Sequence, residues 1–132
     1  MTRTRVPAED LIQAAAHFVG ECQDAAFLVA RDGTIVAWNT RAAELFGIPA
    51  WEASAHNCAK LVRGRSADGA PLCSTNCPLL AGLAEPVPGP VPICVGYGSR
   101  GSGRAVNVQH VPIKNPLRGT TIAMVHLVDP VA

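Results

Sequence analysis

The chain has 132 residues, of which 48% are hydrophobic and 16% are charged, and its formal net charge at pH 7 is +1. This length suits one domain with its own core, and the composition is typical of a folded globular protein and not of a disordered one. Because the charges are few and scattered, they give no reason to expect direct binding of nucleic acid or of a membrane surface. We expect a single domain over residues 1–132, with residues 1–6 as a disordered arm.

The sequence also limits where the protein works. No apolar run approaches the length of a membrane-spanning helix, and the N-terminal residues MTRTRVPAED lack the apolar segment of a signal peptide. We therefore expect a cytoplasmic protein. Five cysteines, an odd number, in such a chain argue against a structural disulfide framework. The roles that remain for them are metal binding, redox chemistry or packing.

The N-terminal part predicts a helix, a hairpin and a second helix. Residues 7–20 begin with a proline, carry two acidic residues in the first turn and end at a glycine, as an amphipathic helix does. Apolar runs at 27–30 and 35–38 flank the turn sequence RDGT, which predicts a β-hairpin. Asn39 then offers an N-cap for a short helix that closes at Gly47.

The middle of the chain predicts short helices and a linker. Pro49 stands near the first position of one helical piece, residues 56–63 follow, and Pro78 marks the start of another helix. The proline-rich residues 86–92 predict an extended linker, because proline supplies no donor and fixes φ.

The last third predicts β structure. Strands are expected at 93–97, 105–111 and 120–128, with a hairpin loop at 114–119. The order of elements is therefore helix, two strands, several short helices and three strands. This order predicts an α+β domain, with a five-stranded antiparallel sheet covered on one face by helices.

The hairpin with its Asp-Gly turn, the strand ending in Trp38-Asn39 and the helix ending in Phe46-Gly47 together resemble the opening of a PAS sensor domain. The resemblance implies that the N-terminal helix packs on the sheet or on a second copy, and hence a homodimer. It also implies a ligand pocket between the sheet and the short helices, with no enzyme activity and an output domain or partner protein outside this chain. The pocket candidates are Trp38, Asn39, Leu61, Leu80 and Asn107.

Three cysteines fall in the short-helix region. Cysteine binds metal as a thiolate, and Cys58, Cys73 and Cys77 from one segment could hold a zinc ion or an iron–sulfur cluster, with His56 as the nearest fourth ligand. Thiol–disulfide switching and plain packing are the other interpretations of the trio. Other candidates for the fourth ligand are Asp68, Cys22 and a non-protein group.

Cys77 has an additional argument. Since it precedes Pro78, it is expected at the N-cap of a helix, where the positive end of the helix dipole lowers the pKa of a thiol. This part of the chain also resembles a cysteine-rich PAS variant of bacterial sensors and helix-turn-helix regulators. The matching residues are Cys58, Leu61, Gly64, Gly69, Cys73, Cys77, Pro78 and Leu79.

Other cofactors and another class of function are alternatives. Asn57-Cys58 with Leu61 resembles the flavin-adduct motif of light-oxygen-voltage domains, although Ala59 and Val62 stand where that motif has arginine and glutamine. Haem is the other alternative, with a histidine as its ligand. A small thiol redox enzyme or carrier would use Cys77 as nucleophile and Cys73 as resolving thiol. The four histidines are His17, His56, His110 and His126.

The sequence thus predicts a signal-sensing PAS domain of a bacterial-type signalling or transcriptional regulatory protein. It would respond to redox state, a metal or iron–sulfur centre, or a small ligand through the three cysteines. The response would rearrange residues 64–79 and shift the first helix or whatever follows Asp129. The chain would be either a sensor excised from a longer protein or a module that acts in trans.

Overall fold

A computed structural model describes residues 7–65, 77, 79–80, 91–95 and 104–130. Residues 1–6, expected to be a disordered arm, lie outside this range. The described helices and strands form an α+β domain, as predicted. The helices are α1 (Ala8–Glu21), α2 (Thr40–Phe46), α3 (Ala50–Ala53) and α4 (Cys58–Val62), and the strands are β1 (Ala25–Ala30), β2 (Ile35–Trp38), β3 (Val91–Val95), β4 (Arg104–Lys114) and β5 (Thr121–Pro130).

The described strands form one five-stranded antiparallel sheet in the order β2-β1-β5-β4-β3. The predicted sheet is therefore confirmed. In its register, Phe27 of β1 lies opposite Trp38 of β2 on one side and opposite His126 of β5 on the other. His126 in turn lies opposite His110 of β4.

The sheet has apolar contacts on both faces. On the inner face, Phe46 of α2, Ala53 of α3 and Val62 of α4 belong to one buried cluster with Phe27 and Val108 of the sheet. This cluster is called the inner-face cluster below. The short helices therefore cover one face, as predicted.

The outer face is covered by α1. Its buried residues Ala15 and Val19 are four apart and so lie on one side of the helix. They pack against Leu28 of β1 and Val125 of β5, in what we call the outer-face cluster. Since Phe27 and Leu28 are neighbours in β1, the same strand contacts both clusters, with alternate side chains on opposite faces.

The turn between β1 and β2 also fixes the start of α4. Gly33 has a φ of 91°, in the left-handed region that favours glycine. Its carbonyl accepts a hydrogen bond from the Cys58 backbone N–H at 2.7 Å, and Thr34 forms an isolated bridge with Asn57. Hydrogen bonds from Thr34 hold the pKa of Asp32 below its usual value and so favour its ionised form in the turn. The hairpin turn thus positions Cys58.

The linker prediction is wrong at its C-terminal end. Val91 and Pro92 belong to β3, where Pro92 lies opposite Asn107 of β4. Because β3 is at the edge of the sheet, a proline there removes no hydrogen bond to a further strand. The other linker residues, the end of the strand expected at 93–97 and the start of the helix expected at Pro78 lie outside the described residues. Leu79 and Leu80 form a turn.

Candidate functional site

A row of four rings crosses the inner face. Cross-strand register brings the side chains together, because opposed residues in an antiparallel sheet share a face. Ring centroids are 5.1 Å apart between Trp38 and Phe27, 4.4 Å between Phe27 and His126, and 4.9 Å between His126 and His110. We call these four residues the ring row. Phe46 of α2 packs on it, with its centroid 5.0 Å from that of Trp38.

The two histidines of the row are held in their neutral form. Burial and, to a smaller extent, the neighbouring His110 lower the pKa of His126 to about 3, although the Met124 backbone acts in the opposite direction. Burial also lowers the pKa of His110. The Nδ1 atom of His126 is buried and has no hydrogen-bond partner in the described part of the chain. Such an orphaned polar atom is costly in a folded core.

Trp38 lies on the inner face, where the pocket prediction placed it. Its side chain is buried, and its indole Nε1 donates a hydrogen bond to the Ile48 carbonyl at 2.9 Å. This bond connects the end of β2 to the segment between α2 and α3. Trp38 therefore packs beneath the short helices as part of the inner-face cluster.

The Asn39 side chain forms hydrogen bonds with the backbone of three elements, α1, β1 and α2. Its Oδ1 accepts hydrogen bonds from the backbone N–H groups of Ala26 at 3.1 Å and Ala42 at 2.8 Å. Its Nδ2 donates to the carbonyls of Val19 at 3.0 Å and Asp24 at 2.8 Å. The side chain is thus the predicted N-cap of α2, and it also connects that helix to β1 and to the end of α1.

Two of the three predicted cysteines lie against the same cluster. Cys58 is the first residue of α4, and Cys77 lies further along the chain, before Leu79 and Leu80. Both are half-buried and pack on the inner-face cluster, together with Leu61. Cys22 packs instead on the outer-face cluster. Cys73 lies outside the described residues.

His56 does not join these cysteines. It is exposed, and the described ranges contain no group of three His, Cys, Asp or Glu side chains arranged to hold a metal ion. His56, Cys58 and Cys77 therefore do not form a three-ligand site by themselves. Any site built from the predicted set depends on Cys73.

The remaining pocket candidates lie on both faces of the sheet. Leu80 is buried in the inner-face cluster, and Leu61 packs against it while half-buried. Asn107 lies in β4 between Val106 and Val108, whose side chains belong to that cluster. Neighbouring residues of a strand point to opposite faces of the sheet. The Asn107 side chain is therefore on the outer face, away from the predicted pocket.

Sequence reasoning named His110 and His126 only as candidate haem ligands and assigned no role to Phe27. Alternation with apolar neighbours placed both histidines on strands. Only the register between β4 and β5 brings the two imidazoles together, and only that between β5 and β1 places His126 on Phe27. No local signal in the sequence carries this information.

Comparison with solved structures assigns the fold. The PAS domain of an HTR-like protein from Haloarcula marismortui is similar with a TM-score of 0.62 and 14% identity, over 93% of each chain. The PAS domain of BvgS from Bordetella pertussis has a TM-score of 0.62 and 14% identity, over 93% of this chain and 88% of that one. An RNA-binding light-oxygen-voltage receptor has a TM-score of 0.61 and 18% identity, over 99% of this chain and 36% of that one.

No protein-family model and no curated protein matches the sequence. None of the helices in the described ranges has the length and apolar character needed to cross a bilayer. The sheet order, the short helices on one face and the similarity to several PAS domains agree with each other. The chain has the PAS fold.

Proposed function

We propose that this PAS domain senses redox state or a metal centre through Cys58, Cys73 and Cys77. The observation that supports this most is that Cys58 and Cys77 pack on the same inner-face cluster. A change in the charge or bonding of either sulfur would alter packing beneath the short helices. Such thiols bind zinc or an iron–sulfur cluster, or are oxidised.

In the redox form of the proposal, two thiols lose two protons and two electrons as one S–S bond forms. An acceptor disulfide takes up both and is reduced to two thiols. The constraint of the new bond would move the segment that holds Cys77 relative to α4. In the metal form, thiolates bind the ion and release their protons.

The signal would reach α1 through β1 and Asn39. Phe27 of β1 belongs to the inner-face cluster, and the adjacent Leu28 packs in the outer-face cluster with α1. Asn39 adds a direct polar connection from the end of β2 to the Val19 carbonyl of α1. Packed elements of this kind respond to a local change by shifting as units.

We further propose that α1 passes the signal on by contacting a second copy or an output partner. Phe18 on this helix is 52% exposed, although the helix covers the sheet with its other side. Exposed aromatic side chains are enriched where proteins associate. In this proposal the domain is a cytoplasmic signalling module and not an enzyme.

A flavin is the cofactor that the light-oxygen-voltage resemblance implies, and the described residues do not fit one. Side-chain amides on the inner face would be needed to hydrogen-bond a polar ring. The Asn39 amide is already hydrogen-bonded to five backbone groups, and Asn107 lies on the outer face. The proposal therefore includes no photochemistry at Cys58.

Purification without oxygen, followed by metal analysis and an ultraviolet–visible spectrum, tests the proposal. Oxidation with a small disulfide and mass spectrometry then report any S–S bond. We expect a bound metal or an oxidation-dependent disulfide in the wild type, and neither in the double variant Cys73→Ser/Cys77→Ser. Cys22→Ser is the matched control, because Cys22 is equally half-buried but lies on the outer-face cluster.

The control variant should behave as the wild type does. A wild-type protein with neither metal nor disulfide would contradict the proposal. The same holds if the double variant keeps the response in full.

A further inference from the structure

The strand pair β4–β5 carries two histidines that the thiol proposal does not use. His110 and His126 are directly opposite each other, and their ring centroids are 4.9 Å apart with 71° between the planes. They lie on the inner face, since His126 stacks on Phe27 of that face. The two imidazoles are therefore held together by the backbone of the sheet.

The separation of the rings matches that of two imidazoles on one ion. Imidazole nitrogen binds Zn²⁺ at about 2.0–2.1 Å, so two such ligands on a tetrahedral ion have ring centres about 5 Å apart. The observed 4.9 Å falls at this distance without any movement of the strands. A shared ion also requires a nitrogen of each ring to face a common point.

Two features around His126 favour metal binding: a ring nitrogen without a hydrogen-bond partner in the described part of the chain, and an aromatic ring stacked on the imidazole. Nδ1 of His126 is buried and has no hydrogen-bond partner in the described part of the chain. Phe27 lies flat against the same imidazole, at 4.4 Å with 9° between the ring planes. An imidazole that binds a cation becomes partly positive, and an aromatic face stabilises positive charge above it.

We propose that His110 and His126 form a two-histidine site for a divalent transition-metal ion such as Zn²⁺ or Ni²⁺. Imidazole is the ligand type that these ions share. The described residues bring no third His, Cys, Asp or Glu side chain to the pair. This proposal uses none of the three cysteines and does not depend on the thiol proposal.

Titration with Ni²⁺ alone, monitored by NMR of ¹³C-labelled histidine, tests the site in the full chain. Ni²⁺ is paramagnetic and broadens the resonances of the rings that bind it. We expect the ring signals of His110 and His126 to broaden at a Ni²⁺ concentration at which the exposed His17 and His56 are unaffected. The titration is repeated in the variant Cys58→Ser/Cys73→Ser/Cys77→Ser, where the same pattern is expected.

Two ring-preserving variants identify the ligands. His110→Phe and His126→Phe keep an aromatic ring on the sheet but remove both nitrogens. Each should weaken Ni²⁺ binding by about tenfold or more, since even loss of an outer-shell partner costs about 10–100-fold. His17→Gln is the control and should leave the affinity unchanged, because the His17 side chain is 79% exposed on α1.

Broadening of all four histidines at one Ni²⁺ concentration would overturn the site, and so would an affinity that the two Phe variants leave unaltered. Loss of binding only in the triple cysteine variant would also overturn it, since the ion would then belong to the thiols. The wild-type titration decides the question even if a Phe variant does not fold. Failure here leaves the thiol proposal intact.

Discussion

The imidazole of His126 lies flat on the phenyl ring of Phe27, with 4.4 Å between ring centroids and 9° between planes. This stack joins β5 to β1 on the inner face, one residue away from Leu28, which packs in the cluster that holds α1. Only strand β1 therefore separates the stacked rings of the inner face from α1, the helix that we propose as the signalling element.

The burial of His126 predicts that the protein loses stability in acid. The pKa of His126 is about 3 in the folded chain, against 6.5 for an unperturbed histidine. Between these pH values the unfolded chain binds a proton that the folded chain does not, so the free energy of unfolding decreases as the pH falls from 6.5. One such group contributes a slope of about 1.4 kcal/mol per pH unit, which vanishes below about pH 3.

Urea unfolding of the metal-free protein at a series of pH values measures this slope. The variant His126→Phe keeps the stacked ring but lacks the titrating group. Its stability should fall less steeply than that of the wild type below pH 6.5. Parallel profiles for the two proteins would show that His126 is not held neutral.

The Asn39 side chain predicts a difference between two similar substitutions. Asn39→Asp keeps the N-cap acceptor, for which Asp and Asn are equally good, but it replaces the donor Nδ2 by a charged oxygen facing the carbonyls of Val19 and Asp24. We expect a loss of about 2–4 kcal/mol in the free energy of unfolding, because buried polar groups lose their partners.

Asn57→Asp is the matched control. Asn57 also caps a helix, accepting from the Ala59 N–H at 2.9 Å, but it is only half-buried and no such donor role is involved. Its substitution should change stability by less than about 1 kcal/mol. Equal losses in the two variants would mean that Asn39 acts as an N-cap alone.

A pair of glycine substitutions tests how the hairpin turn holds α4. At Gly33, φ is 91° and an added Cβ would lie 2.6 Å from Nδ2 of Asn57. Gly33→Ala should therefore cost about 1–3 kcal/mol and expose the Cys58 thiol to alkylating reagents. In Gly20→Ala the new methyl group meets nothing within 4 Å, and it lies in helix α1, so stability should stay level or rise by up to about 1 kcal/mol. Comparable losses in both variants would contradict this account of the turn.

Local signals made much of the fold predictable. The β1–β2 turn, the N-cap at Asn39 and the left-handed Gly47 that ends α2 all depend on residues close together in sequence, and all three are as expected. The proline-rich run predicted a linker at Val91 and Pro92, where the structure has the edge strand β3. An edge strand tolerates proline because one of its sides has no neighbouring strand to accept an N–H hydrogen bond.

The site was less predictable, because it depends on register and on long-range packing. Asn107 fits a strand equally well on either face, and a shift of one residue exchanges the faces. The contacts of Asn39 with the end of α1 join residues that only the folded helix brings together. The pairing of His110 with His126 likewise arises from the sheet and not from either strand alone.

Hydrogen–deuterium exchange of α1 in the reduced and the oxidised protein tests the central proposal most directly. Oxidation with a small disulfide should change the protection of residues 8–21 in the wild type and in Cys22→Ser. The variant Cys58→Ser/Cys73→Ser/Cys77→Ser should show the same exchange under both conditions. Unaltered protection of α1 in the oxidised wild type, or an equal change in the triple variant, would contradict the account.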